Sequence, residues 1–248
     1  MGAVRAKVIL LGHTPNPELI VATAGRRCYS PLGTEALIEK VRDGDPASFI
    51  AKLVQMGHVT PIEHATFTFA VEGVSRSLLA QITRHRIASF SVQSQRYVGE
   101  EARKNADGVF DYVVPPTIAA LGAEAVREFD RQMREIQRFY DYWVAKLGGG
   151  RETFEDARFV LPNAAATKFV VTMNARELWH FFTLRMCNRA QWEIRELAEQ
   201  MLYLVKRVAP TLFTNAGPAC VRGPCPEGKL SCGRSEEMRT KYGRRVED

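Results

Sequence analysis

Between Thr66 and Arg86 the chain changes its hydrophobic period, and that change fixes two elements and the joint between them. In TFTFAVEG, Phe67, Phe69 and Val71 alternate with Thr66, Thr68 and Ala70, the period of a strand with one buried face. From Ser75 to Arg86 the spacing becomes helical, so a strand hands over to a helix at about Gly73. On that helix Ser77, Gln81 and Arg84 share one stripe, beside the apolar stripe of Leu78 and Ile82.

Other segments read as clearly. AKVILLGH is a first strand, and Ala47 to Met56, stopped by Gly57, is a helix. The longest helix places Val126, Phe129, Met133, Ile136, Tyr140, Trp143 and Leu147 at steps of three and four, before Gly148, Gly149 and Gly150. Its single apolar seam suits a packing helix or a subunit interface. KFVVTMN is β-rich, whereas ARELWHFFTLRMC and AQWEIRELAEQMLYLVKRVAP are helical, the latter closed by Pro210. Strands and helices do not alternate as βαβ units. The expected class is therefore α+β, a mixed sheet surrounded by long helices in a single domain over residues 1–215, with a Cys/Gly/Pro-rich tail at 216–248.

The chain has 248 residues, 46% of them hydrophobic, enough for a sizeable core. No apolar run reaches the roughly 18 residues that a membrane helix needs, and the N-terminus lacks a secretory signal, so a cytoplasmic protein is expected. A formal charge of +6 favours anionic partners, although it serves equally as a solubility setting. Five cysteines, an odd number, argue for reduced thiols. Cys220, Cys225 and Cys232 stand among turn formers and can bind zinc, but paired Cys-x-x-Cys spacing is missing and no fourth ligand is evident. His58 and His64 flank TPIE without a completing carboxylate, so no metal is expected there either.

The most informative segment is RHRIASFSVQSQRY, Arg84 to Tyr97. Three adjacent cationic or potentially cationic side chains repel one another unless an anion joins them, and guanidinium groups bind phosphate bidentately. The alternative is a solvated helix end, where cations favour the dipole. Downstream, Ser94 and Gln95 bring hydroxyl, amide and backbone donors and Arg96 another cation, a cradle for a phosphate and a base.

RHR, seven intervening residues and then Ser closely resembles the signature of the flavin-dependent thymidylate synthases. GHVTPIEHATFTF, ARFVLP, NAREL, and LR followed by AQWEI extend the resemblance, in order, over roughly residues 20 to 210. The resemblance implies a homotetramer with active sites shared between protomers. It implies FAD contacts from Thr60, Arg84, His85, Arg86, Asn174, Arg176 and His180. For dUMP it implies Gln81, Arg84, Gln93, Ser94, Gln95 and Arg96, with Arg158 of a neighbouring chain on the phosphate and Arg185 facing the uracil. Val92 stands where some members carry Glu, and Cys28 where some carry Ser, so these two positions depart from the pattern. NADPH and methylenetetrahydrofolate are the implied co-substrates, the reduced flavin giving hydride and the folate only carbon.

The residues themselves support part of this. Leu178, Phe181, Phe182 and Arg185 share one helix face, so Arg185 sits in an apolar stripe and needs a partner: the uracil imide, or a nearby Glu. His180, one turn after Arg176, either joins it on one anion or is a core histidine bonded to the backbone. Thr60, before Pro61 and Glu63, reads as a helix N-cap. No nucleophile has its base: Ser94 lacks a glycine-flanked elbow, and Cys187 reads as packing. Two rivals remain, an RNA-contact surface using Phe90 and Tyr97 and a flavin oxidase without methyl transfer.

Overall fold

Ser75, rather than Gly73, makes the strand-to-helix joint. Its Oγ accepts the Leu78 N–H at 3.1 Å and caps the helix that follows. Gly73 remains within the strand at φ +70°, and a Cβ there would lie 2.1 Å from the Arg5 carbonyl oxygen. The glycine is thus required by a close backbone approach instead of an element boundary.

The computed structural model describes residues 2–243; residue 1 and residues 244–248, the end of the expected tail, lie outside them. In chain order the first elements are β1 (Lys7–His13), α1 (Pro17–Arg27), α2 (Thr34–Arg42), α3 (Pro46–Gln55), β2 (Thr66–Ser75), α4 (Arg76–Ile82) and β3 (Ala88–Val92). Then come α5 (Pro116–Ala119), α6 (Ala123–Lys146), α7 (Phe154–Ala157), β4 (Ala166–Asn174), α8 (Ala175–Arg185), α9 (Trp192–Val208) and α10 (Ser235–Tyr242). The class is α+β, with strand order β1-β2-β4-β3. The sheet is antiparallel, which corrects the mixed sheet expected from the sequence. Along β2 and β4, Ala175 N–H donates to Ala65 O at 2.8 Å, Thr68 meets Thr172 at 2.9 Å, and Arg76 N–H donates to Ala165 O at 3.0 Å. Residue numbers rise on one strand as they fall on the other, the mark of an antiparallel ladder.

The described chain divides into two compact units, residues 2–7, 70–84 and 90–170, and residues 8–69, 85–89 and 171–243, the division falling within each of the four strands. In the first, α6 lays Met133 against Val109, Phe110, Tyr112 and Ala165, with Phe129 and Ile136 beside them. A turn or two later Tyr140 and Val144 pack on Phe154 and Ala157. Between these patches sits buried Gln137, whose Oε1 accepts the Phe110 N–H at 2.7 Å while its Nε2 donates to Glu100 O at 2.8 Å. The expected seam is therefore only partly covered, since Trp143 and Leu147 are 43% and 47% exposed.

The second unit is built on aromatic edges: Phe67 and Phe182 each meet Phe213, at centroid distances of 5.4 and 6.1 Å. Helix α9 buries Ile194, Leu197, Met201 and Val205. The C-terminal segment joins this unit, with Lys206 Nζ donating to Tyr242 O at 2.7 Å and Tyr242 Oη donating to Glu199 at 2.5 Å. Helix α1, which the hydrophobic period does not reveal, packs through small residues: a Cβ on Gly25 would come within 2.7 Å of Leu53 Cδ1.

Gly73→Ala is expected to cost at least about 2 kcal/mol, because strain at positive φ and a backbone clash combine. Gly12→Ala, where an added Cβ meets nothing within 4 Å, is the control. Thermal unfolding of both variants checks this; equal midpoints would show that Arg5 moves aside freely.

Candidate active site

Helix α4 ends at Ile82, before Arg84, so Arg84 leaves the stripe predicted for it; Gln81 Nε2 still donates back to Ser77 O at 3.4 Å. The RHR triplet that follows splits by burial. Arg84 and Arg86 are exposed, whereas His85 is 4% exposed.

Two partners pin His85. Its Nδ1 lies 2.8 Å from Glu177 Oε1, and its Nε2 accepts from Arg185 Nε at 3.1 Å. An arginine only donates, so Nε2 must carry the lone pair and Nδ1 the proton that Glu177 receives. His85 is thus neutral, with its proton affinity lowered first by burial and further by Arg185 and His180, against the opposing pull of Glu177. Helix α8 sets this geometry: the Asn174 carboxamide oxygen accepts the Glu177 N–H at 2.9 Å, and the Glu177 carboxylate lies in the first turn, where the helix dipole favours it. Arg185, at the other end of α8, has the His85 imidazole among the partners its apolar stripe demanded. His180 is exposed, its ring 5.7 Å from that of His85.

A pocket of about 460 Å³ in the same unit gathers Cys28, Thr60 and Arg176. His58 and His64, considered from sequence only as a metal pair, line it too. Thr60 precedes the 3₁₀ turn Pro61–His64 without a capping bond from its hydroxyl, which corrects the N-cap reading. Arg176 is ion-paired with Glu63. A larger cavity of about 1000 Å³ shares Gly57 with this pocket and is lined by Trp179 and Arg222 but by none of the residues singled out from sequence.

The first unit holds the other group. After β3, Ser94 O accepts the N–H of Tyr97 and of Val98, at 3.2 and 2.9 Å, and Ser94 Oγ accepts that of Arg96 at 3.2 Å. Arg96 Nε donates to Glu155 Oε2 at 2.7 Å, and Arg158 Nε to Glu155 O at 3.1 Å, so one residue brings the two arginines together. Gln95 is buried, and its Nε2 meets no acceptor. Leaving a buried amide donor unmade costs about 1–3 kcal/mol, which marks a place where a ligand acceptor fits. Gln93 uses its N–H on Lys168 O at 2.9 Å, and both Gln93 and Val92 are half-buried. Arg76 was missed. It stands in the first turn of α4, where the dipole disfavours cations, and burial and then Arg158 lower its pKa. A cation in a first turn behind a capping serine is the signal that would have found it.

An α+β fold with guanidiniums gathered on Glu155, a buried neutral histidine and a pocket bordered by Arg176 defines a class of protein suited to anionic ligands. Residues 9–211 match the thymidylate synthase complementing protein family. A flavin-dependent thymidylate synthase of Geobacter sulfurreducens is 52% identical over 235 residues, 94% of this chain and 96% of that one. The enzyme of the same name from Pyrococcus horikoshii is 39% identical, covering 90% and 91%. The chain therefore belongs to the flavin-dependent thymidylate synthase family. Among solved structures, a UMP/dUMP methylase from Streptomyces cacaoi bound with 5-Br dUMP superposes with TM-score 0.68 at 24% identity, over 85% of this chain and 94% of that one. Thymidylate Synthase X from Helicobacter pylori, with FAD and dUMP, gives 0.62 at 22%, over 84% and 97%, and shares the fold.

Because the folded pKa of His85 is depressed, its contribution to stability is complete above the unfolded value near 6.5 and is lost as pH falls toward the folded one. Stability of the wild type should therefore drop by up to about 1.4 kcal/mol per pH unit below that point through this residue. In His85→Gln that part of the slope should vanish. Urea unfolding at several pH values between 7 and 5 measures it; identical slopes would show that His85 is not held neutral.

Proposed function

We propose that this protein is a flavin-dependent thymidylate synthase, converting dUMP to dTMP with methylenetetrahydrofolate as carbon donor and tetrahydrofolate as product. The observation that carries the reading is 52% identity across nearly the whole length of a relative of that name. FAD fits the donor set: Thr60 and Arg176 border one pocket, with Cys28 in place of serine still small enough to line it, and Arg84, Arg86, Asn174 and His180 supply cations and amide. When bound, FAD reduced by NADPH supplies the hydride.

The chain's own residues then bind and polarise. Ser94, Gln95, Arg96, Gln81 and Gln93 hold dUMP, with the Gln95 amide donating to an acceptor on it. Arg158 serves the phosphate of a neighbouring subunit's nucleotide. Arg185 stabilises negative charge on the uracil ring, an electrostatic role that needs no protein nucleophile. Its orientation is fixed through His85, and Glu177 fixes His85 in turn. A homotetramer agrees with the aromatic face of α6, where Phe139, Tyr142 and Trp143 are 52%, 56% and 43% exposed. Among the described residues no helix is long and apolar enough to cross a membrane, in keeping with a cytoplasmic enzyme of nucleotide synthesis.

Purified protein should be yellow, absorbing near about 450 nm, and should release tritium from C5-labelled dUMP only when folate and NADPH are present. NADPH oxidation without dTMP would identify an oxidase instead. Arg185→Ala should lower turnover by about a hundredfold or more while FAD affinity stays within about threefold. Unchanged turnover would remove Arg185 from the mechanism.

A further inference from the structure

Arg76 is half-buried, yet among the described residues its guanidinium makes no hydrogen bond and no ion pair. A guanidinium drawn part-way out of water needs such partners. Arg158 is half-buried too, and its side chain bonds only through Nε to the Glu155 carbonyl, because the Glu155 carboxylate is taken by Arg96. The backbone carries these two arginines to one place. The N–H groups of Arg76 and Ser77 donate to Ala165 O and Asn163 O at 3.0 and 3.3 Å. Tight turns then fold the chain between them, Leu161 N–H donating to Arg158 O at 3.1 Å and Ala165 N–H to Pro162 O at 3.0 Å. Tyr140 packs on Ala157, directly before Arg158, and its Oη accepts the Glu100 N–H at 3.2 Å. The turn that holds Gln95 presses on the same segment: Arg96 reaches Glu155, and a Cβ on Gly99 would stand 2.5 Å from the Phe154 ring. Gln95 is 8% exposed with its Nε2 unbonded, so a third donor nearby lacks an acceptor.

We propose that Arg76 is a further ligand to the dUMP phosphate, held beside Arg158 as a second guanidinium for the same group. The assignment rests on the nucleotide reading above and adds a residue to it. Two neighbouring guanidiniums without carboxylates match a phosphate that carries about two negative charges, and each fork can bind two of its oxygens. Burial first and Arg158 second lower the pKa of Arg76, against the pull of Glu100, which forms no ion pair with it. A structural arginine is placed differently. In this same unit Arg134 donates to Asp130 Oδ2 and to Asp107 O, at 2.8 and 2.9 Å, so that its charge and its N–H groups are answered by the fold. Arg76 has neither kind of contact, and an arriving phosphate supplies both. Because the pair acts on the phosphate alone, it also separates the nucleotide from its nucleoside.

The FAD-loaded full chain tests this with Arg76→Met, which keeps an aliphatic stem and removes the charge. By calorimetry the dissociation constant for dUMP should rise at least about tenfold. That for deoxyuridine, which lacks the phosphate, should hardly change when measured by competition. Without nucleotide the variant should melt no lower than the wild type, since a cation repelled by Arg158 has been removed, and dUMP should raise its midpoint less. Arg76→Gln carries the same comparison if Arg76→Met does not fold, and failure of both to fold would mark Arg76 as structural and overturn the assignment. Equal dUMP affinities in wild type and variant, or an equal loss for dUMP and deoxyuridine with a lowered ligand-free midpoint, would overturn it while leaving the proposed reaction standing. A wild type that binds FAD but no dUMP would instead overturn the nucleotide reading, and this assignment with it.

Discussion

The contact between His85 and Glu177 is the constraint on which the second unit's candidate site depends. A carboxylate only 6% exposed needs donors, and Glu177 has them in the capped first turn of α8 and in the Nδ1 proton of His85. A neutral imidazole that donates at one nitrogen offers a lone pair at the other, and Arg185 Nε donates to that lone pair. One proton position thus fixes three side chains drawn from two segments. It also explains why the outer members of the RHR triplet face solvent: with the middle residue held inward, Arg84 and Arg86 are left outside. A triplet that reads as three equal cations is one buried neutral wedge between two arginines.

Much of the fold is legible because strand and helix periods are local. The alternation at Phe67, Phe69 and Val71 and the seams of α6, α8 and α9 report burial through residues a few positions apart. Helix α1 is hidden because its buried face is Pro17, Val21, Ala22 and Gly25, small residues chosen for close approach and not for apolar area. Strand direction is hidden for another reason. Each strand is separated from the next by helices, which is what a mixed sheet also requires, and only the pairing of Ala65 with Ala175 and of Arg76 with Ala165 decides it.

The site divides the same way. The proposed anion cradle near Ser94 to Arg96 comes from adjacent donors and cations, and the need of Arg185 for a partner comes from its place within an apolar stripe. Which partner it takes cannot be read, because Arg185 and His85 lie 100 positions apart and His85 and Glu177 lie 92 apart. The choice has a physical consequence. In this bond a neutral imidazole orients the guanidinium without adding a charge of its own, and the Glu177 carboxylate stands one residue further along the chain of bonds.

A comparable logic governs the arginines of the first unit. Burial and then the charge of Arg158 lower the pKa of Arg76, a repulsion that a purely structural surface would relieve with a nearby carboxylate. Glu100 is close enough to do so, since its charge acts on Arg76. Yet Glu100 is itself pushed toward its neutral form, first by burial and then by Asp111, against the pull of Lys168 and Lys104. Under the proposed nucleotide role, an ionised phosphate would relieve the repulsion that Arg158 exerts on Arg76.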